Sequence, residues 1–350
     1  MEDRQVNKNE VSEPENKSEK TKPPSNKRWN WLIHVFKLAI TFVLLFLLVR
    51  MIKRDALLEA LRSAEMSWMI WALLLVPLNL ALQGLRWYIF VRTEAPNISY
   101  SRCFNSFLGG LSMGLITPGR VGEVGRVFLL DAPSRVRLAG LHILDKLYFV
   151  FAIALFGPAL LFFMPGFREA LPEKFIPGIS LLVLVLPFLY FFFAMRPHPV
   201  KGLLLAIQLT IGAKGRTLEL LNAYNGVRTK DCLKATTITF TQIFIILTQF
   251  FFLSRAFEPV NWLTAAHTYA SALFVKTALP ISLGSLGVGE WAAVSFYQRY
   301  GIADTTGFSA SLILFGLNVL LPGLAGLVVL QRLNPTSILL RISQVWRKAA

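Results

Sequence analysis

Charged residues are scarce in this sequence, at 16% of 350, where soluble domains carry nearer a quarter. Cysteine is scarcer: Cys103 and Cys232 are the only two. They have no CxxC spacing, which excludes a disulfide scaffold and a thiolate metal cluster. The four histidines, His34, His142, His198 and His267, lack ligand spacing, so no structural metal is expected. The alternating ten-residue strands of a membrane barrel are missing. So are a P-loop, a complete G-x-G-x-x-G and a G-x-S-x-G nucleophile elbow, and the chain reads as a non-enzyme without a cofactor.

What the sequence has in quantity is grease. Hydrophobic residues make up 54%, with 28 Phe and 8 Trp, and several runs approach the roughly 20 apolar residues that carry a helix across a bilayer. Apolar runs lie at 32–52, 67–91, 138–163, 178–195, 232–254 and 308–331. Two more apolar regions, 104–130 and 263–298, are interrupted by Pro and Gly. The expected fold is an all-α polytopic membrane protein. It has about six full spans and two broken, re-entrant helical hairpins in an inverted arrangement.

The formal charge of +16 would suggest nucleic acid in a soluble protein. Here it fits basic loops facing the cytoplasm and anionic lipid, and no nucleic acid is expected. With both termini inside, the stretch 92–137 holds six basic residues, 196–234 seven and the tail after 331 four. The four loops then outside, 53–66, 164–177, 255–262 and 299–306, hold three, two, one and one. The positive-inside rule therefore places a multi-pass protein in the cell membrane with both termini cytoplasmic. Residues 1–30 read as a disordered tail too polar to bury a core, 31–333 as one membrane domain and 334–350 as a basic tail. No cleavable signal peptide is expected. The short run 203–213 reads as a helix on the interface.

The charges that matter lie where the spans break. Residues 116–126, ITPGRVGEVGR, follow an apolar run and bring Pro118, Arg120, Glu123 and Arg126 into it. Residues 278–291, ALPISLGSLGVGEW, repeat the arrangement, so Val-Gly-Glu occurs at 121–123 and again at 288–290. Irregular backbone survives in a membrane only when buried in protein or lining a wet cavity. A half-helix starting there presents free N–H groups and partial positive charge, which suits a phosphate. Thr117 is the expected cap and Pro118 the first helical residue. Gly119 and Gly122, like Ser282, Gly284, Ser285 and Gly287 in the second break, let a ligand approach the backbone. Arg120 and Arg126 offer forked donors for phosphate oxygens. Arg126 is expected almost two turns further along, nearer the cytoplasmic headgroups.

Glu123 and Glu290 have four readings: ion pairing with arginine, binding a coupling cation or proton, contact with a headgroup amine, or helix capping. Intramembrane charge is costly and points to function, which adds Arg86, Asp145, Lys146 and Lys276 to the candidates. Snorkelling is the alternative for Arg86, and a local ion pair with a basic neighbour for Asp145. Gly110 and Gly114 form a GxxxG read as helix packing.

T-P-G-x-x-G-E at 117–123 and P-x-S-x-G-x-x-G-x-x-E at 280–290 resemble the transmembrane-region family of lysylphosphatidylglycerol synthase/flippases. The resemblance covers roughly residues 30 to 333. It implies translocation of a membrane phospholipid or a polyprenyl-phosphate-linked substrate. Apart from the resemblance, a second copy of the chain is a candidate partner in a homodimer. Ser285 stands where the family often has glycine, and Gly289 where an arginine commonly precedes the glutamate. Without a soluble transferase domain in the chain, lysine transfer to lipid is not expected. An integral-membrane lipid or glycosyl transferase, its accessory subunit, or a small-solute or ion transporter remain the other readings.

Overall fold

The computed structural model describes residues 64–115, 117, 120–167, 169, 171–195, 216–278 and 287–332, with the isolated positions 62 and 202. All lie within one unit, Val43–Ala350. The expected span 32–52, the interfacial helix 203–213, both tails, Pro118, Gly119, Pro280, Ser282, Gly284 and Ser285 fall outside the described residues.

Among the described residues ten α-helices run in chain order: α1 Met66–Glu94, α2 Tyr100–Leu115, α3 Arg135–Phe162, α4 Ile176–Met195, α5 Arg216–Asn222, α6 Thr229–Arg255, α7 Trp262–Ala278, α8 Val288–Gln298, α9 Asp304–Phe315 and α10 Leu321–Arg332. There is no strand among the described residues. A 3₁₀ segment, Val121–Leu129, follows α2, and a π-helical turn, Gly316–Leu320, joins α9 to α10. Among the described residues, five stretches are long and apolar enough to cross a membrane: Met66–Glu94, Arg135–Phe162, Glu173–Phe192, Thr229–Arg255 and Asp304–Arg332. The protein is therefore an all-α, multi-pass membrane protein. At 1.5 Å per residue, the 29 residues of α1 reach about 44 Å, past the roughly 30 Å hydrocarbon core.

Local chemistry explains the boundaries. Ser134 precedes α3 in extended conformation and its hydroxyl accepts from Arg137 N–H at 3.2 Å, an N-cap. α4 is apolar all round and exposes Leu184, Phe188 and Phe192, as a helix solvated by lipid does.

Helices α1 and α6 pack along each other, α3 lies on α7, and α2 is held between α10 and the 3₁₀ segment. Small residues set these approaches. A Cβ on Gly157 of α3 would lie 2.2 Å from Phe274 Cβ of α7. One on Gly326 of α10 would lie 2.0 Å from the Leu108 carbonyl of α2. In lipid, such close van der Waals contact replaces the hydrophobic drive that packs soluble helices.

Candidate functional site

The first break differs from its expected form. The regular backbone described after α2 begins at Val121 and is 3₁₀, and Pro118, the expected first helical residue, lies outside the described residues. Arg120 occupies the cap position with φ of 60°. Only glycine enters this left-handed region without penalty, and such backbone strain concentrates at functional sites. Thr117 still supplies a cap, from further back: its hydroxyl accepts from Gly122 N–H at 2.7 Å.

The tightness of this turn comes from α2. A Cβ on Gly114 would lie 2.4 Å from Glu123 Cγ, and one on Gly110 would lie 2.7 Å from Arg126 Cβ. The GxxxG face is thus a packing face, as expected, and it seats two charged side chains. Gly122 makes the reciprocal approach, 2.3 Å from a hypothetical Cβ to the Met113 carbonyl oxygen.

Two carboxylates organise the cations around them. Asp145 on α3 takes Arg86 Nε of α1 on one oxygen at 2.7 Å and Arg126 Nη2 on the other at 2.6 Å. All three side chains are at most 5% exposed. Arg86 also donates from Nη1 to Thr239 Oγ1 at 3.0 Å and Gln242 Oε1 at 2.8 Å, both on α6. This replaces snorkelling: the guanidinium is turned inward because Asp145 and α6 satisfy its donors. Nor is the Asp145 pair local, since its partners come from α1 and the 3₁₀ segment. The Arg126 guanidinium lies 3.9 Å from the Trp87 ring centroid, a cation–π contact in a dry setting. Arg126 is therefore sealed inside the protein, not turned toward headgroups.

Glu123, 1% exposed, is shared by Arg120 Nε at 2.6 Å and by Lys146 Nζ. Ion pairing with arginine is thus its observed role. Arg120 and Lys146 keep 28% and 43% of their side chains open. Both face a cavity of about 270 Å³, which Arg86 and Lys276 also line. None of the described residues around it is acidic.

At the second break, α7 ends at Ala278 and α8 starts at Val288, preceded by Gly287 with φ of 90°. Glu290 is buried and accepts from Gly287 N–H at 2.6 Å, the capping alternative. A Cβ at Gly289 would lie 3.4 Å from Lys276 Cδ and 3.8 Å from its Nζ. The lysine thus runs through the space into which a side chain at 289 would grow. Across the region, five cations (Arg86, Arg120, Arg126, Lys146, Lys276) stand against three carboxylates (Glu123, Asp145, Glu290), an excess of two positive charges.

A chain of amides that the sequence reading missed forms the other wall. Gln83 donates to Asn79 at 3.2 Å, Asn79 to Asn318 at 2.8 Å, and Asn318 to Gln249 at 2.9 Å. Gln249 ends the chain on the Ala72 carbonyl at 3.0 Å. Asn79, Gln83, Gln242 and Asn318 line the cavity. Asn318 lies in the π-helical turn, a deviation common at functional sites. The signal was present: Asn79 and Gln83 are four apart and Gln242 and Gln249 seven apart in apolar spans, spacings that share a helix face. Among the described residues, no three His, Cys, Asp or Glu side chains converge as a metal site, and both cysteines are buried and free.

A comparison with curated proteins gave no match. A family model described as "Lysylphosphatidylglycerol synthase TM region" matches residues 34–326, a stretch that includes both breaks, the ion network and the cavity. The chain belongs to the lysylphosphatidylglycerol synthase transmembrane-region family.

Proposed function

We propose that the protein moves an anionic lipid between the leaflets of the cell membrane, with the lipid phosphate received in the cavity by Arg120, Lys146 and Lys276. One observation carries this reading: the cavity sits among membrane-spanning helices, has four cations in its walls and no acid among its described lining. Buried charge in such a place is costly unless compensated. An excess of two cations is best matched by a phosphate, whose transfer through bare hydrocarbon is prohibitive.

The roles divide by exposure. Asp145, Arg86 and Arg126 form the fixed frame, because the buried carboxylate holds both guanidinium groups and Arg86 is tied further to α6. Arg120 and Lys146 share one carboxylate and hold donors free for an incoming oxygen. Lys276 contributes the third cation, in the space left by Gly289. Family membership supports a lipid-related role, and transport without a chemical step fits walls made of cations and amides. The phospholipid or polyprenyl-phosphate substrate, the cytoplasmic termini and the pairing of the two breaks as inverted re-entrant hairpins belong to this proposal.

The test is reconstitution of the full chain into phosphatidylcholine vesicles carrying fluorescent phosphatidylglycerol or a polyprenyl phosphate, with dithionite quenching of the outer leaflet. Lys276→Gln should slow translocation about tenfold or more, the loss of one charged hydrogen bond. Wild-type protein that moves none of these lipids faster than empty vesicles refutes the proposal.

A further inference from the structure

Away from the central cavity, a second and larger space of about 910 Å³ runs between the C-terminal end of α1 and the N-terminal end of α6. Its upper wall is basic: Arg92 from α1, and Arg228, Lys230 and Lys234 at the start of α6. All four are exposed, and none has an ion-pair partner among the described residues. The single acid among the described lining residues, Asp231, turns back to accept from Arg228 N–H at 3.2 Å, capping α6.

Its lower wall is apolar. Leu85 and Ile89 continue down α1 and Ile238 down α6 beyond Lys234, while Leu233 lies level with Lys230 and Lys234; Leu85 is 37% and Leu233 44% exposed. From Arg92 to Leu85 is seven residues, about 10 Å of helix. Tyr88 sits between the two levels with the Arg92 guanidinium 5.5 Å from its ring centroid, as tyrosines do at a membrane interface. A free anion would use only the upper wall. A lipid uses both, with phosphate oxygens at the cations and acyl chains along the leucines.

We propose that this groove is a binding site for an anionic phospholipid bearing two phosphates, held as a resident lipid between α1 and α6. Four cations spread over two helices match two phosphates, each engaging two of them. The site stands independently of the transport reading, since the two share no described lining residue.

Purified full-length protein in neutral detergent is titrated with tetraoleoyl cardiolipin, dioleoyl phosphatidylglycerol or dioleoyl phosphatidylcholine and read by native mass spectrometry. Cardiolipin should be retained well above phosphatidylglycerol, and phosphatidylcholine least. Arg228→Gln/Lys230→Gln/Lys234→Gln should weaken cardiolipin on the order of 100-fold, at about fivefold per basic residue, with thermal unfolding unchanged. Lys276→Gln should leave the preference for cardiolipin over phosphatidylglycerol intact. Equal retention by wild type and triple variant overturns the proposal, as does loss of that preference in Lys276→Gln, which would assign cardiolipin to the central cavity. Displacement of cardiolipin by equimolar inorganic pyrophosphate would overturn the lipid assignment in favour of a free anion. A triple variant that fails to fold is replaced by Arg92→Gln and Lys234→Gln singly, each expected to lose several-fold.

Discussion

Replacing Asp145 with asparagine exchanges one carboxylate oxygen for an amide nitrogen and should destabilise the centre of this protein. Asp145 is the only described partner that Arg86 and Arg126 share, at 2.7 and 2.6 Å. Arg86 retains Thr239 and Gln242 after the change. Arg126 retains only the face of Trp87. Two guanidinium charges, with side chains 5% and 1% exposed, lose their counter-charge together. Breaking a buried pair from one side costs about 3–5 kcal/mol, because a desolvated charge is left uncompensated. At roughly 2 °C per kcal/mol for a protein of this size, Asp145→Asn should lower the midpoint of thermal unfolding in detergent by about 6–10 °C. The eight tryptophans give the fluorescence signal, with Trp87 reporting from beside the lesion. A cycle with Arg126→Met sharpens the test: the methionine should cost less in the Asp145→Asn background than in wild type, because one stranded charge is removed. A midpoint within about 2 °C of wild type for Asp145→Asn, or strictly additive costs in the cycle, would refute the description of this triad as a buried, mutually neutralising frame.

Arg120→Ala should impair lipid translocation about ten- to hundredfold while shifting the unfolding midpoint little, and Arg120→Lys should recover only part, since the fork is lost; vesicle dithionite assays on both variants check this. Arg126→Ala, by contrast, should show itself first as lost stability in a thermal melt, because its side chain is 1% exposed and paired with Asp145. Gly122→Ala should destabilise by about 1–3 kcal/mol, since its Cβ would stand 2.3 Å from the Met113 carbonyl oxygen and backbone must yield; an unchanged melting curve would contradict the packing. Cysteine probes in intact cells should be labelled at Glu173 and protected at Lys214, and the reverse would overturn the charge-derived orientation.

Much of the architecture was readable in one dimension because the membrane imposes a one-dimensional rule. A span must hold some 20 apolar residues and satisfy its own backbone, so five of the six expected crossings reappear as helices within a few residues of their expected ends, and the sixth lies outside the described residues. Both breaks were legible for the same reason, as proline and glycine in lipid-soluble surroundings advertise themselves. Intramembrane charge likewise marked Arg86, Asp145, Lys146 and Lys276 before any partner was known. Which charge meets which could not be read. Arg86 and Asp145 are 59 residues apart, and nothing local says that Arg86 turns inward to α6 instead of up to the interface. Arg120 and Arg126 look equivalent in the sequence, yet the left-handed turn at Arg120 and the glycine face of α2 leave one open to the cavity and seal the other against Trp87. Composition and periodicity are properties of a segment, and so they determine helices; the division of like side chains between frame and site depends on which helices touch, and only the packed structure decides that.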